Sequence, residues 1–241
     1  MFNMRHHSLI PEPSRTAITT ERSKMLRVGL TGDLGSGKST VARLLAAHGA
    51  IILSSDEMAR TMMQPGQPVY AAIVHHFGPT VVAPDQSLDR RELARLAFTE
   101  GRAEELNAII HPAVLAEQAR QIEALAQTNP NAIVVVESAL IFTTTHAPNG
   151  QPWSKRFDRI ILVTAPEPLK IQRFISRASN GRPLTPAEQA TLEADARRRL
   201  AMQTANATHA SECLVITNNS TLEHLEHQVA AVWTQLQNPQ N

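Results

Sequence analysis

Residues 32–40 read Gly-Asp-Leu-Gly-Ser-Gly-Lys-Ser-Thr, the spacing of a phosphate-binding loop. Such a loop belongs between a strand and a helix. A strand-like run, Leu-Arg-Val-Gly-Leu-Thr, occupies 26–31, and residues 41–48 follow with apolar positions at Val41, Leu44 and Leu45. The glycines let successive N–H groups turn inward, and a helix N-terminus adds partial positive charge, so polyphosphate is held there. The expected cradle is Gly32, Leu34, Gly35, Ser36, Gly37 and Thr40. Lys38 would reach the β- and γ-phosphates and the Ser39 hydroxyl would join a Mg²⁺ shell. The chain is therefore expected to bind a nucleoside triphosphate with Mg²⁺.

The remaining composition narrows the class. A chain of 241 residues with 42% hydrophobic and 19% charged residues has ample core for one large domain. A formal net charge of +1 argues against wholesale affinity for nucleic acid or membranes. Apolar runs such as 132–136 are far too short to cross a bilayer. Cys213 is the single cysteine, which excludes an intrachain disulfide and fits a reducing cytoplasm. Residues 1–24 are polar, hold two prolines and show no apolar period. Disorder is the expectation for them, with His6-His7 read as polar sequence rather than a metal site. Residues 25–241 are expected to form one domain, as a monomer or weak oligomer.

Beyond the loop, Gly49 ends the first helix and 50–53 reads as a short buried strand, so a β-α-β unit and a parallel sheet are implied. Ser54-Ser55-Asp56 follows at that strand's carboxyl end, where open α/β sheets bind ligands. From 57 to 129 the pattern is helical, broken at Pro65-Gly66, Gly78-Pro79 and His111-Pro112. That is too long for a simple crossover, so a helical insertion beside the sheet is expected. Residues 133–136 form a buried strand ending at Glu137, and 159–163 and 214–217 are further strands. Lys170, Arg173 and Arg177 share a helix face. Thr185-Pro-Ala-Glu188 is a capping box opening a helix that reaches Arg197–Arg199, and Ser220-Thr-Leu-Glu223 caps a final amphipathic helix.

Phosphoryl transfer depends on positioning and charge neutralisation. Arg173, Arg177 and Arg182 lie on a helix-loop-helix that would close as a lid, with Arg177 favoured; the alternative is a solvated basic face. Asp56 is the candidate to orient an acceptor hydroxyl and receive its proton, or else caps a helix starting at Glu57. Glu137 stands where a carboxylate helps hold Mg²⁺ through water, or is a strand-end surface group. His111 either contacts an anionic substrate or stops a helix.

Several segments together resemble the dephospho-CoA kinase family. They are the loop with Gly29, Ser54-Ser-Asp-Glu-Met-Ala-Arg60, Gln64-Pro-Gly66, His76-Phe-Gly78, Leu88-Asp-Arg90, Leu106-Asn-Ala-Ile-Ile-His-Pro112 and Asn218-Asn219. The resemblance implies an α/β P-loop kinase fold: a parallel five-stranded sheet sandwiched by helices, a helical acceptor-binding insertion and a small helical lid. It places the core at 25–60, 130–172 and 200–241, the insertion at about 61–129 and the lid at about 173–199. It implies ATP as phosphate donor and the 3′-hydroxyl of dephospho-CoA as acceptor. Asp56, Lys38 and Arg177 then match catalytic positions, Arg60 and His111 acceptor contacts, and Asn218 the nucleotide site. The chain departs from the family in having Ser54 where Asp-x-Asp is usual. It also has Glu137-Ser-Ala-Leu-Ile-Phe-Thr143 in place of Asp-Ile-Pro-Leu-Leu-Phe-Glu. Two other readings remain, another small-molecule kinase on the same scaffold and a catalytically impaired ATP-binding relative. A regulatory GTPase is disfavoured, because no Asn/Thr-Lys-x-Asp motif surrounds any of the four lysines.

Overall fold

A computed structural model describes residues 25–144 and 150–238. The expectations for residues 1–24, His6-His7 included, lie outside the described residues. Five strands form one all-parallel sheet in the order β2-β3-β1-β4-β5, with β1 Leu26–Gly32, β2 Ile51–Ser54, β3 Ile133–Glu137, β4 Arg159–Thr164 and β5 Leu214–Thr217. The central strands β3, β1 and β4 are near-continuous apolar runs because helices cover both faces of the sheet.

One face is sealed by α1 (Lys38–Ala47) and the final helix, α10 (Leu222–Gln237). Val41 and Leu45 from α1 meet Val28, Leu30 and Ile161, while Leu225, Val229, Val232 and Leu236 from α10 complete the layer. Each such side chain contributes about 1.5–3 kcal/mol by leaving water. The other face buries Val134, Val136, Ile141, Phe157 and Ile160. Register sets the working edge. Ser54 lies opposite Glu137, Glu137 opposite Leu30, and Thr164 opposite Thr217, so the strand ends and the phosphate loop share one rim.

The β2–β3 crossover carries α2 (Ser55–Met62), α3 (Pro68–Phe77), α4 (Arg90–Ala94) and α5 (Ala103–Thr128). It has its own apolar centre around Ile73, Val81 and Leu96, as a helical insertion beside the sheet requires. Contrary to the sequence expectation, His111-Pro112 does not break a helix: α5 runs unbroken for 26 residues with Pro112 inside it. Proline removes one backbone bond. Ile109, Ile110 and Ala113 pack into the insertion core, and Val114 and Leu115 are buried beyond them, so packing on both sides of Pro112 carries the helix through.

After β3 come α6 (Trp153–Arg156) and, beyond β4, α7 (Glu167–Ala178), α8 (Pro186–Ala201) and α9 (Ala205–Thr208). The Thr185/Glu188 capping box is complete, with both reciprocal bonds present. The last cap shifts by one residue: the Thr221 hydroxyl, not Ser220, accepts from the His224 N–H at 3.3 Å.

Candidate active site

The loop between β1 and α1 bends only because glycine permits it. Gly35 (φ +72°) presses so close to α7 that a Cβ would lie 2.2 Å from the Lys170 carbonyl, and Gly37 (φ +99°) turns the chain into the helix. Among the described residues, the N–H groups of Gly37, Lys38 and Ser39 have no protein acceptor. Three donors aimed from a helix N-terminus fit a phosphate group. The Lys38 ammonium donates to the Gly32 carbonyl at 2.7 Å, and Ser39 keeps its hydroxyl exposed.

The loop is braced from behind by residues that the motif does not mention. Asp33 takes Lys170 on one carboxylate oxygen and the Asn206 carboxamide, at 2.8 Å, on the other. Thr31 donates to Asn206 in turn. The Gln203 side-chain carbonyl accepts the Leu34 N–H at 2.7 Å. Asn218 is buried, with its amide donating to the Ser36 carbonyl at 2.8 Å. Arg173 donates to the Asn218 side chain at 3.1 Å and reaches the carbonyls of Gly35 and Ser36. Asn218 thus lies under the loop. Arg173 is a brace too, and it also lines the cleft in front of the loop.

A cleft of about 530 Å³ opens in front of the loop. It brings together most of the residues expected from sequence: Lys38, Ser39, Asp56, Arg60, Glu137 and Arg177. Among the described residues, no carboxylate pairs with Arg177. Arg182 is elsewhere, exposed and paired with Glu188 at 2.7 Å in the first turn of α8. Burial pushes the Lys38 ammonium below its ordinary range, with Glu137, Asp56 and Asp33 opposing and Arg177 reinforcing. Burial likewise raises the Glu137 carboxyl, helped by Asp56 and opposed by Lys38. Glu137 is therefore part of the cleft's charge cluster, half withdrawn from water. No group of three or more His, Cys, Asp or Glu side chains assembles a metal cage among the described residues. A Mg²⁺ here would draw on Ser39, phosphate oxygens and waters, the pattern usual for that ion.

Asp56 does not cap a helix. Ser54 does so, accepting the Glu57 N–H at 3.3 Å, which leaves Asp56 exposed in the first turn of α2. Behind Asp56 lies a second cavity of about 120 Å³, formed by α2, α5, the end of β3 and α6. His111 and Arg156 line it. Gln118, buried on α5, donates to the Ser55 hydroxyl at 2.7 Å on its wall. Among the described residues, Asp56 alone lines both cavities. Sequence reasoning missed Arg156, Gln203 and Asn206, because no local motif marks them. It noticed Lys170 and Arg173 as a basic face without seeing what they face.

A family model for dephospho-CoA kinase matches residues 26–224. The dephospho-CoA kinase of Moorella thermoacetica is 38% identical over 215 residues, 88% of this chain and 93% of that protein. That of Thermobifida fusca is 37% identical over 214 residues, 88% and 97% of the two chains. Among solved structures, TT1252 from Thermus thermophilus superposes with a TM-score of 0.65 at 28% identity, covering 88% of this chain and 98% of that one. Dephospho-CoA kinase from Campylobacter jejuni superposes at 0.54 with 19% identity, 87% and 96% covered, a likeness of fold.

Proposed function

The chain belongs to the dephospho-CoA kinase family, and from that premise we propose how its residues move the γ-phosphate of ATP onto the 3′-hydroxyl of dephospho-CoA. The reaction is the last step of coenzyme A biosynthesis. The observation that carries the residue assignment is the position of Asp56, at the junction of the phosphate cleft and the second cavity.

The N–H groups of Gly37, Lys38 and Ser39 bind the phosphates, and Lys38 follows the γ-phosphoryl as it transfers. Arg177 faces the same oxygens from the lid side, adding positive charge where the transition state spreads negative charge. Ser39 and, through water, Glu137 would hold Mg²⁺, which when bound neutralises the β- and γ-oxygens. Asp56 accepts a hydrogen bond from the 3′-hydroxyl and aims its oxygen at phosphorus. As the new O–P bond forms and the bridging bond to the β-phosphate breaks, ADP leaves and the hydroxyl proton passes to Asp56. In a loose transition state the hydroxyl needs aiming more than deprotonation, so orientation is the carboxylate's main contribution. Arg60 and His111 flank the acceptor. Asn218 serves the nucleotide site by fixing the loop. The enzyme works as a monomer or weak oligomer, and in the cytoplasm, the latter supported by the single cysteine. No described helix is long and apolar enough to cross a membrane.

The test is Asp56→Asn, assayed by ADP release with dephospho-CoA and by direct ATP titration. The expected result is a kcat lowered about 10²- to 10⁴-fold with ATP affinity unchanged. Near-normal turnover would remove Asp56 from the chemistry.

A further inference from the structure

The second cavity contains a charge that no carboxylate among the described residues balances. Arg156, at the end of α6, donates one guanidinium N–H to the Ile141 carbonyl at 3.1 Å. Its Nε is fully buried and meets no acceptor. No carboxylate pairs with it among the described residues, and its other close neighbour is the Phe157 ring, 5.4 Å from the guanidinium carbon. Burial alone pushes the group below its usual range, with no partner raising it again. Arginine cannot shed its proton to escape this cost. The Thr144 hydroxyl on the same wall is also buried without a partner.

A half-buried cation with no ion partner is costly, and one backbone carbonyl is a poor structural reason to keep it. Its planar fork of donors matches phosphate oxygens. The cavity has room for about four waters, enough for a small polar group to enter beside Asp56. Dephospho-CoA carries its negative charge on one group, the 5′-diphosphate, which hangs from the same ribose as the 3′-hydroxyl.

We infer that Arg156 binds the 5′-diphosphate of dephospho-CoA while Asp56, lining the same cavity, holds that nucleotide's 3′-hydroxyl. This rests on the reading of Asp56 as the acceptor residue. It makes Arg156 a specificity determinant: the cavity selects nucleotides that bring an anion with them, and adenosine alone leaves the guanidinium unpaired.

The test is calorimetric titration of the full chain, its ATP site filled with a non-hydrolysable ATP analogue, with dephospho-CoA and with adenosine. Arg156→Gln should weaken dephospho-CoA about 10- to 100-fold while adenosine changes less than about threefold. Arg156→Lys, which keeps the charge but not the fork, should fall between. The melting midpoint of unliganded Arg156→Gln should hold or rise, because a buried unpaired charge is gone. Equal losses for both ligands, unchanged dephospho-CoA affinity, or a lowered midpoint would each overturn the inference. Asp56→Asn run alongside separates the two readings. If that variant turns over normally, the cavity is not the acceptor site. If it is inactive while Arg156→Gln binds both ligands like wild type, the diphosphate assignment alone fails.

Discussion

Asp33 in the phosphate loop and Arg156 in the second cavity are both charged and mostly withdrawn from solvent, yet their surroundings differ. Asp33 has both oxygens taken, by Lys170 and Asn206, inside a network that also fastens Leu34 through Gln203 and Ser36 through Asn218. Arg156 has one carbonyl and an idle Nε. The phosphate loop is thus braced before ligand arrives, with the buried Ser36 hydroxyl and the N–H groups that must meet phosphate left open. The second cavity leaves a guanidinium incomplete. The contrast follows from what each must do. Electrostatic stabilisation works best when the donors need no rearrangement, whereas selectivity comes from buried polar groups that only the correct ligand can satisfy.

The most damaging way to test the braced half is Asp33→Ala. It strands Lys170, whose side chain is 13% exposed, and frees Asn206. Removing one member of a largely buried pair should cost about 2–3 kcal/mol, at or below the lower end of such measurements because the pair keeps some solvent contact. For a chain of this size that is a melting midpoint lower by roughly 5–10 °C. Asp33→Ala/Lys170→Met should recover part of the loss, since no charge is then stranded. A fall under about 2 °C for the single variant would mean that the loop stands without its brace. The contrast with Arg156, whose removal should not destabilise the unliganded protein, would then collapse.

The two halves were also unequally legible in the sequence. The loop declared itself because its chemistry is local: glycines, Lys38 and Ser39 do their work within nine residues of chain. The Thr185/Glu188 capping box and the apolar strands at 133–136 and 159–163 were readable for the same reason, a pattern completed at short range. The braces were not, because Asp33 meets side chains 137 and 173 residues away, and no periodicity records such a pairing. Pro112 misled because its local cost is real but smaller than the packing that continues α5 on both sides. Asp56 had two local readings, and the bond from the Glu57 N–H to the Ser54 hydroxyl removes one of them, the cap. Arg156 carries no motif at all; its idle Nε is visible only in three dimensions.

Glu137 lies on the boundary between the halves, and its sign of effect differs from that of Asp33. Burial and Asp56 raise its carboxyl above the ordinary range. Between its unfolded and folded values the folded protein therefore binds the extra proton, so stability falls as pH rises through that window. The penalty is complete above the raised value and relieved toward acid. Glu137→Gln removes it. Without ligand, the variant should melt higher than wild type at pH 8, with the advantage shrinking as pH drops into the ordinary carboxylate range. Turnover should drop even so, because the variant loses a carboxylate beside the phosphates. A variant that melts lower at pH 8 would put Glu137 among the braces instead.

The lid provides the smallest effect and the sharpest control. Thr185 accepts the Glu188 N–H at 3.3 Å, Glu188 accepts the Thr185 N–H at 2.8 Å, and Arg182 closes on the same carboxylate at 2.7 Å. Arg182, then Thr185, hold the Glu188 carboxyl down at about 2. A depressed carboxylate contributes its stability above the unfolded value and loses it as pH falls from there toward 2. These groups are exposed, so salt should weaken the ion pair. Thr185→Ala should cost about 1 kcal/mol of local helix stability. It should be seen as faster amide hydrogen exchange in the first turn of α8, with the global melting midpoint nearly unmoved, because that turn is exposed and can fray locally. Lowering the pH toward 3 should produce the same local fraying in the wild-type protein. If Thr185→Ala lowered the global midpoint as far as Asp33→Ala does, α8 would belong to the cooperative core. The braced region would then extend past Gln203 into the lid, instead of ending where the lid joins the phosphate loop.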